Sequence, residues 1–289
     1  MRPTTRFRQR LQTGRTLWVP GAYDVLSARL CEEAGFEAVL MSGFGIAASL
    51  LGQPDTELYT MTENLGVLRN TTQVLGIPVM ADGDTGYGNA INVMRTVREF
   101  EAAGVASITF EDQVAPKKCP AVSDQTAIIP LEEGVAKIRA AVQARKDPDL
   151  VIVARTDARE PEEAIRRARA YVAAGADVVK PIMKCFDSLE GLQALRSACG
   201  VPLSISVLGW IERELSPAQI ETLGGIATYP LAPLLTATAA LRSNLAALHQ
   251  TRSSRGLPIA PTPEGEFKRF IGFEDVERLE REFLQPVAA

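Results

Sequence analysis

Residues 77–120, IPVMADGDTGYGNAINVMRTVREFEAAGVASITFEDQVAPKKCP, decide how the rest of the chain is read. Residues 78–81 form the short apolar run of a fully buried parallel strand, which ends directly in Asp82-Gly83-Asp84, with Gly86 and Gly88 close behind. From 90 to 103 the apolar positions Ile91, Val93, Met94, Val97, Phe100 and Ala103 recur at helical spacing, and Gly104 closes the run as a C-cap glycine would. A second strand over 107–110 again ends in acid, Glu111-Asp112. Two successive parallel strands joined by one helical crossover deliver their acids to the same sheet edge, so the two acidic pairs belong to one site.

Working outward, the same alternation recurs along the chain. Strands are expected over 17–20, 38–41, 78–81, 107–110, 150–154, 178–182, 202–207 and 225–229, separated by helical patterns over 25–34, 62–75, 90–103, 131–145, 162–174, 189–198 and 217–223. Eight strands alternating with helices predict an α/β fold, a single (β/α)8 TIM barrel whose strand ends share one face. The last strand leads into an alanine- and leucine-rich helix over 236–250. The basic N-terminus is expected to form a short surface helix before the first strand. A proline- and glycine-rich linker, 256–263, divides the barrel domain, 1–255, from a C-terminal helical extension, 256–289. In that extension one helix is expected over 267–283, with Phe270, Phe273, Val276, Leu279 and Phe283 on an apolar face that needs a surface to cover.

Composition narrows the function. The chain has 289 residues, is 46% hydrophobic and carries a net charge of −4, which offers no basic face for nucleic acid. No apolar run reaches the roughly 18 residues of a membrane span, and the N-terminus lacks the apolar stretch of a secretory signal. Four cysteines at 31, 119, 185 and 199 show neither metal-ligand spacing nor a disulfide framework, so a reducing, cytoplasmic setting is expected. The single histidine, His249, lies on the alanine-rich helix far from every acidic strand end. Ser-His and Cys-His nucleophiles and histidine-bound zinc are thereby set aside.

The active face of such a barrel gathers Asp24, Ser42, Asp55, Asp82, Asp84, Glu111, Asp112, Cys119 and Arg155. Carboxylates converging on one spot repel unless a cation sits among them, and an all-oxygen set suits Mg²⁺, with Mn²⁺ as the alternative. Each acid taken singly could instead cap a helix. Arg155, directly after a buried strand, is the natural fork for a substrate carboxylate, unless it pairs with a neighbouring acid. Gly43 and Gly45, just past the second strand, would free backbone N–H groups for an anion or simply make a tight turn. Cys119 follows Lys117 and Lys118, whose charge would lower a thiol pKa and make it a usable proton donor near neutrality.

The runs PGAYDVLSAR, SGFG, LGQPD, ADGDTGYGN, FEDQ with KKC, and ARTDA resemble the isocitrate lyase and phosphoenolpyruvate mutase superfamily, and within it the short 2-methylisocitrate lyase-like branch. The likeness covers roughly residues 17–250. It implies a barrel whose last helix is exchanged with a partner subunit, within a homotetramer built as a dimer of dimers. It implies one Mg²⁺ at Asp82, with Asp84, Asp55 and Glu111 holding the ion or its waters. By the same resemblance Tyr23, Ser42, Gly43, Phe44, Pro120 and Arg155 contact the substrate, Lys117, Asp55 and Arg155 assist catalysis, and Cys119 on a closing loop is the general acid/base. The implied reaction is Mg²⁺-dependent carbon–carbon cleavage of a 2-hydroxy dicarboxylate to a 2-oxo acid and a second carboxylic acid.

The chain departs from this pattern where the distal half of the substrate would lie. Cys119 is followed by Pro120-Ala121 where the lyases carry Gly-His, Pro181-Ile182-Met183 replaces a glutamate after the sixth strand, and after the seventh strand Ser206 and Leu208-Gly209-Trp210-Ile211 replace an asparagine and a glycine-rich segment. A smaller or more apolar acid than methylisocitrate, such as an alkyl-substituted malate, is therefore expected. Oxaloacetate hydrolysis or decarboxylation, or phosphorylmutase-type chemistry of the same superfamily, are the alternatives. Two readings from other classes stand beside these. Lys180, on the sixth strand, resembles the Schiff-base lysine of metal-independent barrel aldolases. Alternatively the barrel binds a 2-oxo acid without turning it over.

Overall fold

The computed structural model of the chain describes residues 1–118 and 127–284. Eight strands follow in order: β1 (Leu17–Ala22), β2 (Val39–Met41), β3 (Val79–Asp82), β4 (Ser107–Glu111), β5 (Val151–Thr156), β6 (Val178–Pro181), β7 (Ser204–Ser206) and β8 (Ile226–Tyr229). Every pairing between them is parallel, in the order β6-β5-β4-β3-β2-β1-β8-β7. The ring closes where Val179 bridges Leu203 and the Val179 N–H donates to the Pro202 carbonyl at 3.1 Å. This is the expected (β/α)8 barrel.

Helices flank the strands: α1 (Pro3–Gln12), α2 (Val25–Glu33), α3 (Gly43–Ile46), α4 (Met61–Val74), α5 (Ala90–Ala102), α6 (Leu131–Ala144), α7 (Pro161–Ala173), α8 (Leu189–Cys199), α9 (Trp210–Glu214) and α10 (Pro217–Glu221). Several carry their own stop and start signals. Asp24, Thr60 and Asn89 accept backbone N–H groups at the first turns of α2, α4 and α5 in capping boxes, and Gly104 takes φ +92 just past α5.

Alternation along the strands sorts the side chains into two layers. Leu17, Val19, Leu40, Met80, Val151, Val153, Val178 and Ile226 form the barrel interior, while Val39, Met41, Val79, Ala81, Ile108, Phe110, Ile152 and Ala154 pack outward with the helices. Phe7 and Leu11 of α1 belong to the interior cluster and are buried. The N-terminal helix is therefore not a plain surface helix: its apolar edge closes the barrel beneath the strands, while Arg8 pairs with Asp177 at 2.9 Å.

The chain divides into two compact units, Met1–Leu234 and Leu235–Ala289. The second takes in most of α11 (Ala232–Thr251), with α12 (Glu264–Ile271) and α13 (Phe273–Phe283). Where one helix was expected over 267–283 there are two, because Gly272 at φ +96 ends α12 and starts α13. Phe273, Val276, Leu279 and Phe283 of α13 are exposed. Among the described residues no helix is long and apolar enough to cross a membrane.

Candidate active site

Strand parity builds the site. On β3 the inward residue after Met80 is Asp82; on β5, after Val153, it is Arg155; on β6, after Val178, it is Lys180. By the same rule β4 presents Glu111 and β7 presents Ser206. Asp82, Arg155, Lys180 and Ser206 line a cavity of about 260 Å³ at the carboxyl ends of the strands, together with Ser42, Phe44, Asp55 and Lys117. Pockets for drug-sized ligands run roughly 300–1,000 Å³, so this one suits a small acid.

The acids are held rather than left to repel. Asp82 accepts the N–H of Gly43 at 3.1 Å and of Asp84 at 3.2 Å. Gly43 begins the short helix α3, so the glycine segment after β2 is helical, not an open turn, and this N–H serves a protein carboxylate. A Cβ on Gly43 would stand 2.7 Å from the Tyr59 hydroxyl and 2.8 Å from Asp82 Oδ2, which accounts for a glycine at this position. Asp84 is fully buried and accepts the hydroxyls of Tyr59 at 2.6 Å and Tyr87 at 2.9 Å.

Lys117 is the cation at the centre. Its Nζ lies 2.5 Å from Asp84 Oδ1, 2.9 Å from Asp55 Oδ1 and 3.5 Å from Glu111 Oε1. Burial acts to lower this ammonium's pKa, but Asp84, Glu111, Asp82 and Asp55 override it and hold it well above the ordinary value. Burial pushes Asp84 up to about 7, with the charges of Asp82, Asp55 and Glu111 adding to the effect and Lys117 opposing it. Arg155 engages Glu111 Oε2 through Nη1 and Asp157 Oδ1 through Nη2, both at 2.8 Å. Beside it, burial and the Arg155 charge bring Lys180 down to about 8.

Among the described residues no three acid, thiol or imidazole side chains are gathered closely enough to ligate one ion directly. Mg²⁺, however, usually keeps several waters and takes only one or two carboxylates. Among the described residues the buried oxygens Asp55 Oδ1, Asp84 Oδ1 and Glu111 Oε1 meet no partner but Lys117, the single cationic group on which they converge. An all-oxygen, cation-centred set with Asp82 at the cavity wall fits a hydrated Mg²⁺.

Of the remaining expected residues, Tyr23 does not line the cavity; its Cβ packs against Gly45, where an added Cβ would lie 2.5 Å away. Cys119 and Pro120 lie outside the described residues. Asp24 is the N-cap of α2. Asp112 is turned into a buried network, accepting from Tyr171 at 2.8 Å, Arg167 at 3.1 Å and the Asp157 N–H at 2.8 Å. Sequence reasoning missed Tyr59 and Tyr87, and also Glu57, which accepts from the Thr85 hydroxyl at 2.5 Å and the Lys117 N–H at 2.8 Å. Those residues sit in irregular loops, where no periodicity marks them. Ser206, expected to face the distal part of the substrate, does line the cavity.

The family described as phosphoenolpyruvate phosphomutase matches residues 7–251. The chain is 40% identical over 291 residues to a 2,3-dimethylmalate lyase of Eubacterium barkeri, covering 98% of this chain and 99% of that one. It is 35% identical to an oxaloacetate decarboxylase of Bradyrhizobium sp. (strain BTAi1 / ATCC BAA-1182), covering 97% and 99%. Among solved structures, a phosphonopyruvate hydrolase in complex with oxalate and Mg²⁺ superposes with a TM-score of 0.89 at 31% identity, covering 99% of this chain and 100% of that one. With motifs, barrel and relatives in agreement over nearly its whole length, the chain belongs to the phosphoenolpyruvate mutase/isocitrate lyase superfamily.

Proposed function

We propose that this enzyme is a Mg²⁺-dependent lyase that cleaves an alkyl-substituted malate to a 2-oxo acid and a second carboxylic acid. The observation that carries the reading is the cavity itself: buried acids around Lys117, Arg155 and Lys180 beside them, and apolar Ile182, Leu208 and Leu231 in the same lining. The 40% identity to a 2,3-dimethylmalate lyase supports the same substrate class.

In this reading Asp82 holds the ion, and Asp84, Asp55 and Glu111 hold it or its waters. When bound, Mg²⁺ supplies Lewis-acid polarisation of the substrate's 2-hydroxyl and neighbouring carboxylate. Ser42 and Phe44 line the 2-oxo acid end, and Gly43 acts through Asp82 by donating its N–H to that carboxylate. Arg155 keeps its charge beside the reacting oxygens while Glu111 and Asp157 fix its plane. As a base of the site takes the hydroxyl proton, the freed oxygen pair forms the carbonyl of the 2-oxo acid, the C2–C3 bond breaks with its electron pair passing to the second acid as a carbanion, and the Cys119 thiol gives its proton to that carbon. Lys117, engaged by three acids, acts as a fixed counter-charge.

A second reading, oxaloacetate decarboxylation or hydrolysis, is favoured by the 35% identity to an oxaloacetate decarboxylase. One panel separates them: alkylmalates, 2-methylisocitrate and oxaloacetate, with Mg²⁺ or EDTA, for wild type and Cys119→Ser, following pyruvate, glyoxylate and oxalate separately. Metal-dependent cleavage of a malate analogue, lost in Cys119→Ser, is the expected result. Activity confined to oxaloacetate moves the assignment to the second reading, and turnover indifferent to EDTA defeats both.

The same reading includes a homotetramer in which the last helix is exchanged between subunits, supported by the exposed apolar residues of α13. A cytoplasmic setting is supported by the unpaired, buried Cys31, Cys185 and Cys199.

A further inference from the structure

On β6, Val178 belongs to the barrel interior, so Lys180, two residues further on, points the same way and lines the cavity. Its register partner on β5 is Arg155. The two cations are in different states. Arg155 is bound at both Nη atoms by Glu111 and Asp157, whereas Lys180 has no hydrogen bond or ion pair among the described residues. Other cations line the same cavity, but Lys117 is held by three acids, Arg159 and Lys184 have partners of their own, and Lys118 is exposed to water. An ammonium drawn out of bulk water without a counter-ion is costly, and such a charge persists where a ligand completes it. Around it the wall is apolar, with Ile182, Leu208 and Leu231, and small at Ser206.

We propose that Lys180 is the specificity-determining residue for the departing half of the substrate: its ammonium pairs with the second carboxylate, while alkyl substituents rest on Ile182, Leu208 and Leu231. This assignment rests on the lyase reading for the identity of the departing half. It selects dicarboxylates over monocarboxylates and places the charge of that half at β6.

The test compares wild type with Lys180→Met, Lys180→Gln and Lys180→Arg, each first checked for an unchanged melting transition. Three quantities are read in Mg²⁺: KM and kcat for an alkylmalate, the inhibition constant of oxalate as a mimic of the 2-oxo acid end, and calorimetric binding of methylsuccinate as a hydroxyl-free mimic of the malate that keeps the second carboxylate. The neutral variants are expected to weaken the malate and methylsuccinate about tenfold to hundredfold while oxalate changes less than about twofold, and Lys180→Arg is expected to recover most of the loss. Equal weakening of oxalate and methylsuccinate, or no change in either, overturns the assignment. So does a reduced pyruvate adduct on Lys180 after borohydride treatment, which would make the amine a nucleophile that condenses with the carbonyl and loses water. If wild type cleaves no malate yet binds methylsuccinate through Lys180, the lyase reading fails and the carboxylate assignment stands. If wild type cleaves malates and the neutral variants match it, the reverse holds.

Discussion

Lys117 shows how much one buried charge decides. It is 3% exposed and faces Asp84, Asp55 and Glu111, so replacing it leaves three carboxylates without their counter-ion. Breaking a buried ion pair costs about 3–5 kcal/mol. Lys117→Met is therefore expected to melt roughly 5–15 °C below wild type in EDTA, with a smaller deficit in millimolar Mg²⁺, where a second cation shares the same acids. Differential scanning fluorimetry with and without the metal reads both numbers; an equal deficit in the two buffers would show that the ion does not bind among these acids. The cysteines yield a second test at this scale. Burial pushes the Cys31 thiol up to about 11 and Cys185 to about 12, so below those values the reactive thiolate is scarce, and Cys199 is also buried. Native protein at pH 8 is expected to show one fast-reacting thiol with a disulfide reagent, absent in Cys119→Ser, and four after unfolding. A fast thiol surviving in Cys119→Ser would place the reactive cysteine elsewhere.

At the scale of elements, the site is a junction between α3 and the ends of β3 and β4, and two glycines show which junctions are tight. On Gly43 a methyl group would press on the Tyr59 hydroxyl and Asp82 Oδ2, moving the carboxylate that the reading assigns to the metal. Displacements of about 1 Å at a reacting centre cost on the order of 100-fold in rate, so Gly43→Ala is expected to lose about that much kcat. Gly66, inside α4, has open space where its Cβ would go. Gly66→Ala is expected to stabilise the protein by about 0.4–1 kcal/mol with unchanged activity, because alanine lowers the entropy of the unfolded chain without meeting anything in the folded one. A stability loss in Gly66→Ala, measured by denaturant unfolding, would contradict the helix environment described here. The element that departed furthest from expectation, the extension over 267–283, did so at one residue, Gly272, whose φ of +96 splits the helix.

For the whole molecule, the expected consequence lies in assembly. Phe273, Val276, Leu279 and Phe283 recur at helical spacing along α13, and all four are exposed, an arrangement a single copy leaves in water. Light scattering coupled to size exclusion is expected to find an oligomer, and Leu279→Asp with Phe283→Asp is expected to shift it to smaller species while the barrel stays folded by circular dichroism. A wild-type monomer would remove the exchanged-helix reading and leave the site unaffected.

The order of strands and helices, the barrel class, the strand ends that carry Asp82, Glu111 and Arg155, and the superfamily motifs were all legible in the sequence, because parallel strands and amphipathic helices write their periods into local apolar spacing. Tertiary structure alone decided which acids face the cavity and which turn away from it. Asp82 and Asp112 both follow strands, yet one reaches the cavity and the other is bound by Arg167 and Tyr171 behind the barrel wall. Closure also determined that Lys117 reaches back across the strand ends to Asp55 and Asp84, and that Lys180 has no hydrogen bond or ion pair among the described residues. Those outcomes depend on charges brought together from distant strands and loops, and their energies arise only once water has been excluded between them, a condition that no local stretch of sequence encodes.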